Sequence, residues 1–484
     1  MLYKNLEENI IRIKKDTKYA QDFKYKEMTI SNHNICLIYN ETICSSDKID
    51  NFILKNLTFL IDQNIKEELD TFLINFLPSE NINKIDSFKD TYNYLHNGFL
   101  VILFDKKKTG LAIETRRDLN RSITESQVEK AINGPKDSFV EDYNTNLGLI
   151  RKRIKSNDLV IKEQIIGTKT KTKVSLLYMD NLVEQKLIDN VKEQLNKIET
   201  DSILDVSYIR NFISKNNYLF PMTGTTEKPS TAAMNLLEGR IIILADYSPF
   251  VLIIPTFFID FFHSPEDYYQ KPKNITITRI IRFIAFLVSI LTPAFYIAVT
   301  TYNHETLPSE LLINLTAQRS GVPFPAFVEA ILMIITFEIL RESDIRLPSQ
   351  MGSAISILGG IILGDAAVAA GIVSPIMVIV IAITSISSLI FSNLDIINAI
   401  RIWRIIFMIF ASFFGLVGLY MCGYLFVTIL ASYKSFGKPY LYPLAPTNFR
   451  LLKDSFIKMK GNNRNEKYPI LIKNKVSKWK NWLF

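Results

Sequence analysis

The sequence predicts an α/β cytoplasmic region of two small subdomains followed by an all-α polytopic membrane domain. Three observations carry that expectation. The charges are unevenly placed: Lys plus Arg against Asp plus Glu number 35 and 34 over residues 1–240, 11 and 12 over 241–449, and 10 and 2 over 450–484. The front is therefore charge-rich and neutral, the middle is poor in charge, and the tail carries the whole net charge of +8. Short β-like runs alternate with helix-like runs in the front half. The middle holds apolar runs long enough to cross about 30 Å of hydrocarbon at ~1.5 Å per residue. A chain of 484 residues is also too long for one ordinary domain.

The N-terminus, MLYKNLEENIIRIKKDTKYA, has no apolar core of signal-peptide length, so the front half is expected to stay in the cytoplasm. Cys36, Cys44 and Cys422 lack metal-ligand spacing; Cys422, inside an apolar run, is read as a small packing residue, and the other two fit a reducing cytoplasmic compartment. A charge excess confined to the tail after apolar spans is read as positive-inside placement against anionic lipid, not as nucleic-acid binding.

In the front half, ICLIYN (35–40), FLVILFD (99–105) and LAIET (111–115) read as strands, with helical patterns at 52–60 and 65–76 between them. Asn133-Gly134-Pro135 breaks the chain before an amphipathic run with Phe139, Tyr143, Leu147, Ile150 and Ile154 on one face. A second set follows: strands LVIKEQIIG (159–167), KVSLLYMD (173–180) and RIIILAD (240–246), with a helix marked by Leu187, Val191, Leu195 and Ile198. The repeat is one of architecture, without residue-level self-similarity. The expected division is 1–130 for the first subdomain, 131–156 for a connecting helix and 157–250 for the second subdomain. An interfacial connector at 251–279, a membrane domain of about 4–6 spans at 280–433 and a basic cytoplasmic tail at 434–484 complete it.

In the membrane half, residues 247–262 are apolar but broken by Pro249 and Pro255, and read as an interfacial or buried connector. Spans are expected at 280–302, 325–340, 352–371 and 372–391, with Arg279 and Arg282 marking a cytoplasmic start. The run 405–433 is long for one span and short for two; one span would leave the basic tail outside, whereas a hairpin bent near Gly415 to Gly418, or entry of the 247–262 segment into the membrane, would return it to the cytoplasm.

Three carboxylates, Glu329, Glu338 and Asp365, lie in or beside these runs. An ionised side chain at the bilayer centre costs roughly 2.5–3.5 kcal/mol on lenient scales, so each is a candidate for facing protein, water or an ion. Glu338 stands three residues before Arg341, where an ion pair at the cytoplasmic boundary would make it structural. Asp365 follows Gly364 in a small-residue series containing Gly359, Gly360, Ala366 and Ala370, of which Gly359, Ala366 and Ala370 are candidate oligomer contacts. The candidate pore or coupling residues are thus Asp365, Gly360, Gly364, Glu329, Glu338 and Arg341. No GxxxxGK[ST], HExxH, CxxC or GxSxG pattern occurs, so no enzyme, metal or cofactor is expected.

Jointly, GPKDSFVED (134–142), LGLIRKRI (147–154), FPMTGTTEKPS (220–230), VPFPAFVEA (322–330), EILRESDIRLP from Glu338, LGDAAVAAGIVSP (363–375) and SFGKPYLYPLAP (435–446) resemble the A subunit of GerA-type spore germination receptors. The sequence departs from that family pattern at Lys228 and Ser230, where arginine and aspartate are usual. The resemblance implies an inner-spore-membrane protein with a transporter-like B subunit and a C-subunit lipoprotein as partners, self-association into a ring, and passage of ions when nutrient is sensed. A secondary transporter of a small solute is the alternative, disfavoured by the lack of a visible inverted repeat.

Overall fold

The computed structural model describes residues 1–31, 33–61, 68–79, 81–118, 129, 134–214, 218–346, 362–391, 393–456 and 471. The first subdomain runs α1 (Leu6–Asp16), β1 (Phe23–Ile30), β2 (His33–Asn40), a helical stretch within 46–59, α2 (Leu69–Phe76), β3 (Ile82–Ile85), α3 (Phe88–His96), β4 (Phe99–Phe104) and β5 (Gly110–Glu114). Its strands are antiparallel in the order β1-β2-β4-β5-β3. Alternation with period two decides which face each side chain takes. Ile35 and Leu37 pack under α2 and the 46–59 helix, while Cys36 and Ile38 pack under α1 and α3.

The second subdomain repeats that plan. It comprises α4 (Tyr143–Arg153), β6 (Leu159–Ile166), β7 (Thr172–Met179), α5 (Gln185–Asn196), α6 (Val206–Ile213), β8 (Gly224–Thr226), α7 (Pro229–Leu237), β9 (Ile241–Ala245) and β10 (Val251–Ile254). Its strand order, β6-β7-β9-β10-β8, is that of the first sheet shifted by five, and it too is antiparallel. The helix after Pro135 starts only at Tyr143, where the Asp142 carboxylate caps it by accepting from Thr145 N at 2.7 Å. It covers one face of the second sheet together with α7, so it belongs to that subdomain's core and is not a free linker.

The apolar run at 251–254 differs from the connector expected of 251–279. It is β10, paired with both β9 and β8 and buried throughout. A strand buried on both faces is continuously apolar and looks like a membrane-surface segment by composition alone. The connector proper is short, two 3-10 turns at Phe258–Phe262 and Pro265–Tyr268.

The subdomains meet on a buried ion pair. Arg151 donates to both oxygens of Asp22, Nε to Oδ2 at 2.7 Å and Nη2 to Oδ1 at 3.0 Å, and also to the carbonyls of Leu159 and Ser156. His96 reaches across to Asn157 at 2.6 Å. Burial, then the neighbouring Arg151 charge, holds the His96 imidazole down at about 4.

The helical region contains α8 (Pro272–Thr301), α9 (Ser309–Arg319), α10 (Ala326–Arg346), a helix at 362–369, α11 (Pro375–Ser388), α12 (Leu394–Ser432) and α13 (Phe449–Phe456). Among the described residues α8 and α12 are long and apolar enough to cross a membrane. α12 is not straight. Gly415 takes φ 60° and ψ −139°, and the Trp403 and Phe426 rings are 4.8 Å apart, whereas 23 residues of straight helix would separate them by about 34 Å. The chain folds back at Gly415, within the 415–418 window expected from sequence. The bend rests on the end of α8: Asn303 Oδ1 accepts from Leu416 N at 3.0 Å, and the Tyr302 hydroxyl donates to the Ser412 carbonyl at 2.9 Å.

The returning arm brings the chain back to the α/β region. Tyr433 packs against Tyr218 with tilted rings and centroids 4.4 Å apart, Ser435 Oγ donates to the Met222 carbonyl at 2.7 Å, Phe258 N donates to the Tyr440 carbonyl at 3.0 Å, and Lys438 pairs with Glu184 at 2.6 Å. One apolar core runs without a break from the α5–α6 face of the second sheet, through Phe257, Phe258 and Phe262, into α8, α10, α11 and α12.

Candidate functional site in the helical bundle

Glu329 stands in the first turn of α10, fully buried. Its Oε2 accepts from the Ser374 backbone N–H at 3.1 Å and from the Ser374 hydroxyl at 2.9 Å. Ser374 is the N-cap of α11, so the carboxylate occupies the positive end of that helix, where an anion is stabilised. Arg319, at the end of α9, places Nε 3.5 Å from the other oxygen, too far for a hydrogen bond, and neither atom has another hydrogen-bond partner among the described residues. Tyr296 of α8 faces the same three side chains. One carboxylate thus draws together α8, α9, α10 and the start of α11.

Glu338 lies on α10 nearer the α/β region. Its Oε2 is 2.6 Å from Arg401 Nη2 on α12 and 3.7 Å from Arg341 Nη1. The expected Arg341 contact is present, but the short bond goes to Arg401, which the sequence reading did not single out. No local signal could have found it, because the partners are 63 residues apart and meet only through helix packing. One turn further along α12, Arg404 is buried and donates Nε to the Ser289 carbonyl of α8 at 2.8 Å. Arg404 also feels the charges of Glu338, Arg401 and Arg341, so this glutamate serves several arginines at once.

Asp365 is different. It lies exposed on the 362–369 helix and has no hydrogen bond or ion pair among the described residues. Its neighbour Gly364 is buried, and a Cβ there would meet Val378 Cγ1 of α11 at 3.4 Å. Gly364 therefore packs inward while Asp365, Ala366 and Ala370 point out of the protomer. Gly359 and Gly360 lie outside the described residues. Among those described, no hydrogen bond or ion pair joins Glu329, Glu338 and Asp365 to one another.

A second set of polar contacts lies where the α/β region meets the bundle. Arg240 Nη1 and Nη2 grip Asp260 at 2.6 and 2.8 Å, Asp267 holds Arg279 Nε at 2.8 Å and Arg282 Nη1 at 3.0 Å, and Arg210 of α6 pairs with Asp395 of α12 at 2.5 Å. Arg279 and Arg282, taken from sequence as topology markers, are thus also structural anchors. In the FPMTGTTEKPS segment Lys228 is buried at the N-cap of α7. Beside it Glu129 accepts from the Thr226 hydroxyl at 2.6 Å, and burial pushes its carboxyl up to about 7. No cluster of three or more His, Cys, Asp or Glu able to hold a metal occurs among the described residues.

The chain has counterparts among known proteins. Residues 11–469 match the protein-family model described as Bacillus/Clostridium GerA spore germination protein. The chain belongs to the GerA family. It is 36% identical to spore germination protein KA of Bacillus subtilis (strain 168), over 94% of this chain and 84% of that protein. It is 33% identical to spore germination protein GerQA of Bacillus cereus, over 91% and 88% respectively. A similar solved structure is the N-terminal domain of the A subunit of the Bacillus megaterium spore germinant receptor GerK3, with 28% identity, a TM-score of 0.40, and coverage of 53% of this chain and 97% of that one. A role in a spore germination receptor and association with a membrane follow from this membership together with the two long apolar helices.

Proposed function

We propose that this GerA-family chain is the A subunit of a nutrient-responsive receptor in the inner spore membrane. It acts without catalysis, and couples germinant binding by a transporter-like B subunit to ion release, with a C-subunit lipoprotein as the third component. Copies of the chain associate through the face that carries Asp365, Ala366 and Ala370 and form an ion-conducting ring. α8, α10, the run 352–371, α11 and the two arms of α12 cross the bilayer, and both the α/β region and the tail lie on the cytoplasmic side. The fold-back of α12 supports this topology, since it returns the chain to the side from which α8 departs.

The observation that carries the reading is Asp365. Glu329 and Glu338 are tied to partners within the protomer, while Asp365 is turned outward on a helix of small residues. A carboxylate facing lipid is costly, and a second copy or a water-filled path removes that cost. The test is Asp365→Asn and Gly360→Leu in spores. Nutrient-triggered potassium release should fall while the amount of protein in the membrane is unchanged. Normal release from both variants would refute the pore assignment.

A further inference from the structure

The face of α6 turned away from the sheet carries a stripe of large apolar side chains. Val206, Ile209 and Ile213 are buried, while Leu204, Tyr208 and Phe212 are 58%, 43% and 51% exposed. Tyr208 and Phe212 are four residues apart on α6 and share one face, and Leu204 adds an exposed apolar side chain just before the extended N-cap Asp205. A soluble surface rarely keeps such a ridge uncovered.

Its position in the fold indicates what covers it. The second sheet has two faces: α4 and α7 cover one, while α5, α6 and the helical bundle share the other. α6 therefore lies beside the bundle on that face. It is tied there to both ends of the α12 hairpin. Arg210 pairs with Asp395 in the first turn of the outgoing arm, and just beyond α6, Leu219 N donates to the hydroxyl of Tyr433, the cap of the returning arm. Leu394, next to Asp395 in the chain, is exposed, as are Leu389 and Ile390 just after α11, so apolar surface is also present where α12 begins. At 100° per residue, Arg210 lies on the flank of α6 opposite Tyr208, so with the arginine directed at α12 the ridge points outward, past the bundle. An aromatic pair with a phenolic hydroxyl suits the headgroup zone, where one end of the ring is apolar and the other wet.

We propose that Leu204, Tyr208 and Phe212 insert into the interfacial zone of the bilayer around the bundle, so that α6 lies on the membrane as a monotopic anchor for the second subdomain. The partner is the lipid surface itself. The segment is neither strongly basic nor acidic, so insertion depends on apolar burial and not on anionic lipid. The inference rests on α8 and α12 being embedded in a bilayer.

The experiment uses the full chain in liposomes of phosphatidylcholine, with and without phosphatidylglycerol. A single environment-sensitive fluorophore is placed at Tyr208→Cys or Phe212→Cys; native Cys36, Cys44 and Cys422 are buried and react slowly. Ile284→Cys, exposed in mid-α8, reports embedding of the bundle, and Phe59→Cys in the first subdomain reports bulk water. The expected result is blue-shifted emission at 208 and 212. Lipids carrying a nitroxide near the headgroup should quench both sites more strongly than lipids with a deep nitroxide, in both lipid mixtures. Quenching at 284 together with water-like, unquenched emission at 208 and 212 would overturn the anchor while leaving the bundle reading intact. Absence of quenching at 284 would defeat the bilayer reading first, and the anchor with it. Energy transfer between labels at 212 on two copies, without lipid quenching, would assign the ridge to self-association and refute the proposal.

Discussion

Replacing Glu329 tests whether the hydrogen bonds to Ser374 or the charge of Arg319 hold the start of α10 against α11 and α9. Glu329→Ala removes the acceptor from two buried donors, the Ser374 N–H and hydroxyl. Each buried donor left unsatisfied costs about 1–3 kcal/mol, and loss of an anion from a helix N-terminus adds up to about 2. Together these give about 2–8 kcal/mol, centred near 5. Arg319→Ala removes a cation that is 3.5 Å away, makes no hydrogen bond to the carboxylate and is itself 23% exposed. It leaves Glu329 with both Ser374 bonds and the helix dipole, so its cost should be about 1–2 kcal/mol. Glu329→Gln keeps an acceptor for Ser374 and should fall between the two.

Thermal unfolding of the purified full chain in lipid nanodiscs, followed by the emission of buried Trp403 with Trp479 and Trp482 replaced by phenylalanine, measures the series. One kcal/mol corresponds to roughly 2–4 °C in a domain of this size. The midpoint should thus fall on the order of 10 °C for Glu329→Ala and by a few degrees for Arg319→Ala. If Arg319→Ala destabilises as much as Glu329→Ala, the ion pair carries the site and the reasoning from hydrogen-bond geometry is wrong.

Three further outcomes follow from the geometry. Gly415→Ala forces a side chain into a positive-φ position and places its Cβ 2.6 Å from Asn303 Oδ1, displacing the bond to Leu416 N; a loss of about 2–4 kcal/mol in the same melt is expected, and a neutral change would mean that the hairpin is not as described. Arg151→Met strands the buried Asp22 carboxylate on Asn40 and should cost about 3–5 kcal/mol, seen as faster amide exchange in β1 and β6, while the double change with Asp22→Asn should recover most of it. His96 has its folded-state value lowered to about 4 from 6.5, so the unfolded chain binds more protons between these values. Stability present above about pH 6.5 should therefore be lost as pH falls toward 4, by up to about 3 kcal/mol, and His96→Phe should flatten that slope.

Much of the fold was legible where the pattern is local. The strands at 35–40, 99–105, 159–167 and 173–180 alternate or run apolar between turns, and each is a strand in the sheets. β1 was missed because FKYKEMTI is an edge strand with polar residues on both sides, and β8 because three residues give no period. β10 was misplaced because a strand buried on both faces and a membrane-surface run have the same composition. The Gly415 bend was one of two arrangements that the sequence left open for returning the tail to the cytoplasm, because a run long for one span and short for two does not decide between them. For the candidate site, the carboxylates could be named from their cost in an apolar setting, but their partners could not. Ser374, Arg319 and Arg401 are 45, 10 and 63 residues away from the groups they meet, and nothing in a single sequence encodes which helices will touch.

The two joints in the molecule differ in stiffness, and the difference limits how a signal can travel. Between the second subdomain and the bundle, Phe220, Phe258, Phe262, Phe286, Phe391 and Phe426 interlock in one unbroken core. At roughly 1.5–3 kcal/mol for each large apolar side chain returned to water, separating these parts would cost most of a domain's stability. The sheet face, the aromatic layer and the ends of α8 and α12 must therefore move as one body. The joint between the two subdomains is mainly polar, built on Arg151 with Asp22, His96 with Asn157 and Lys18 with Asp180. Ile43 is the first-subdomain side chain that enters the second subdomain's apolar cluster among the described residues. Polar contacts can exchange for water at small net cost, except at the buried Arg151 pair, which then acts as a pivot. A partner that rocks the first subdomain about that pivot would displace it without strain in the bundle, whereas one that moves the second subdomain would carry Asp260, Asp267 and Asp395, and with them the roots of α8 and α12.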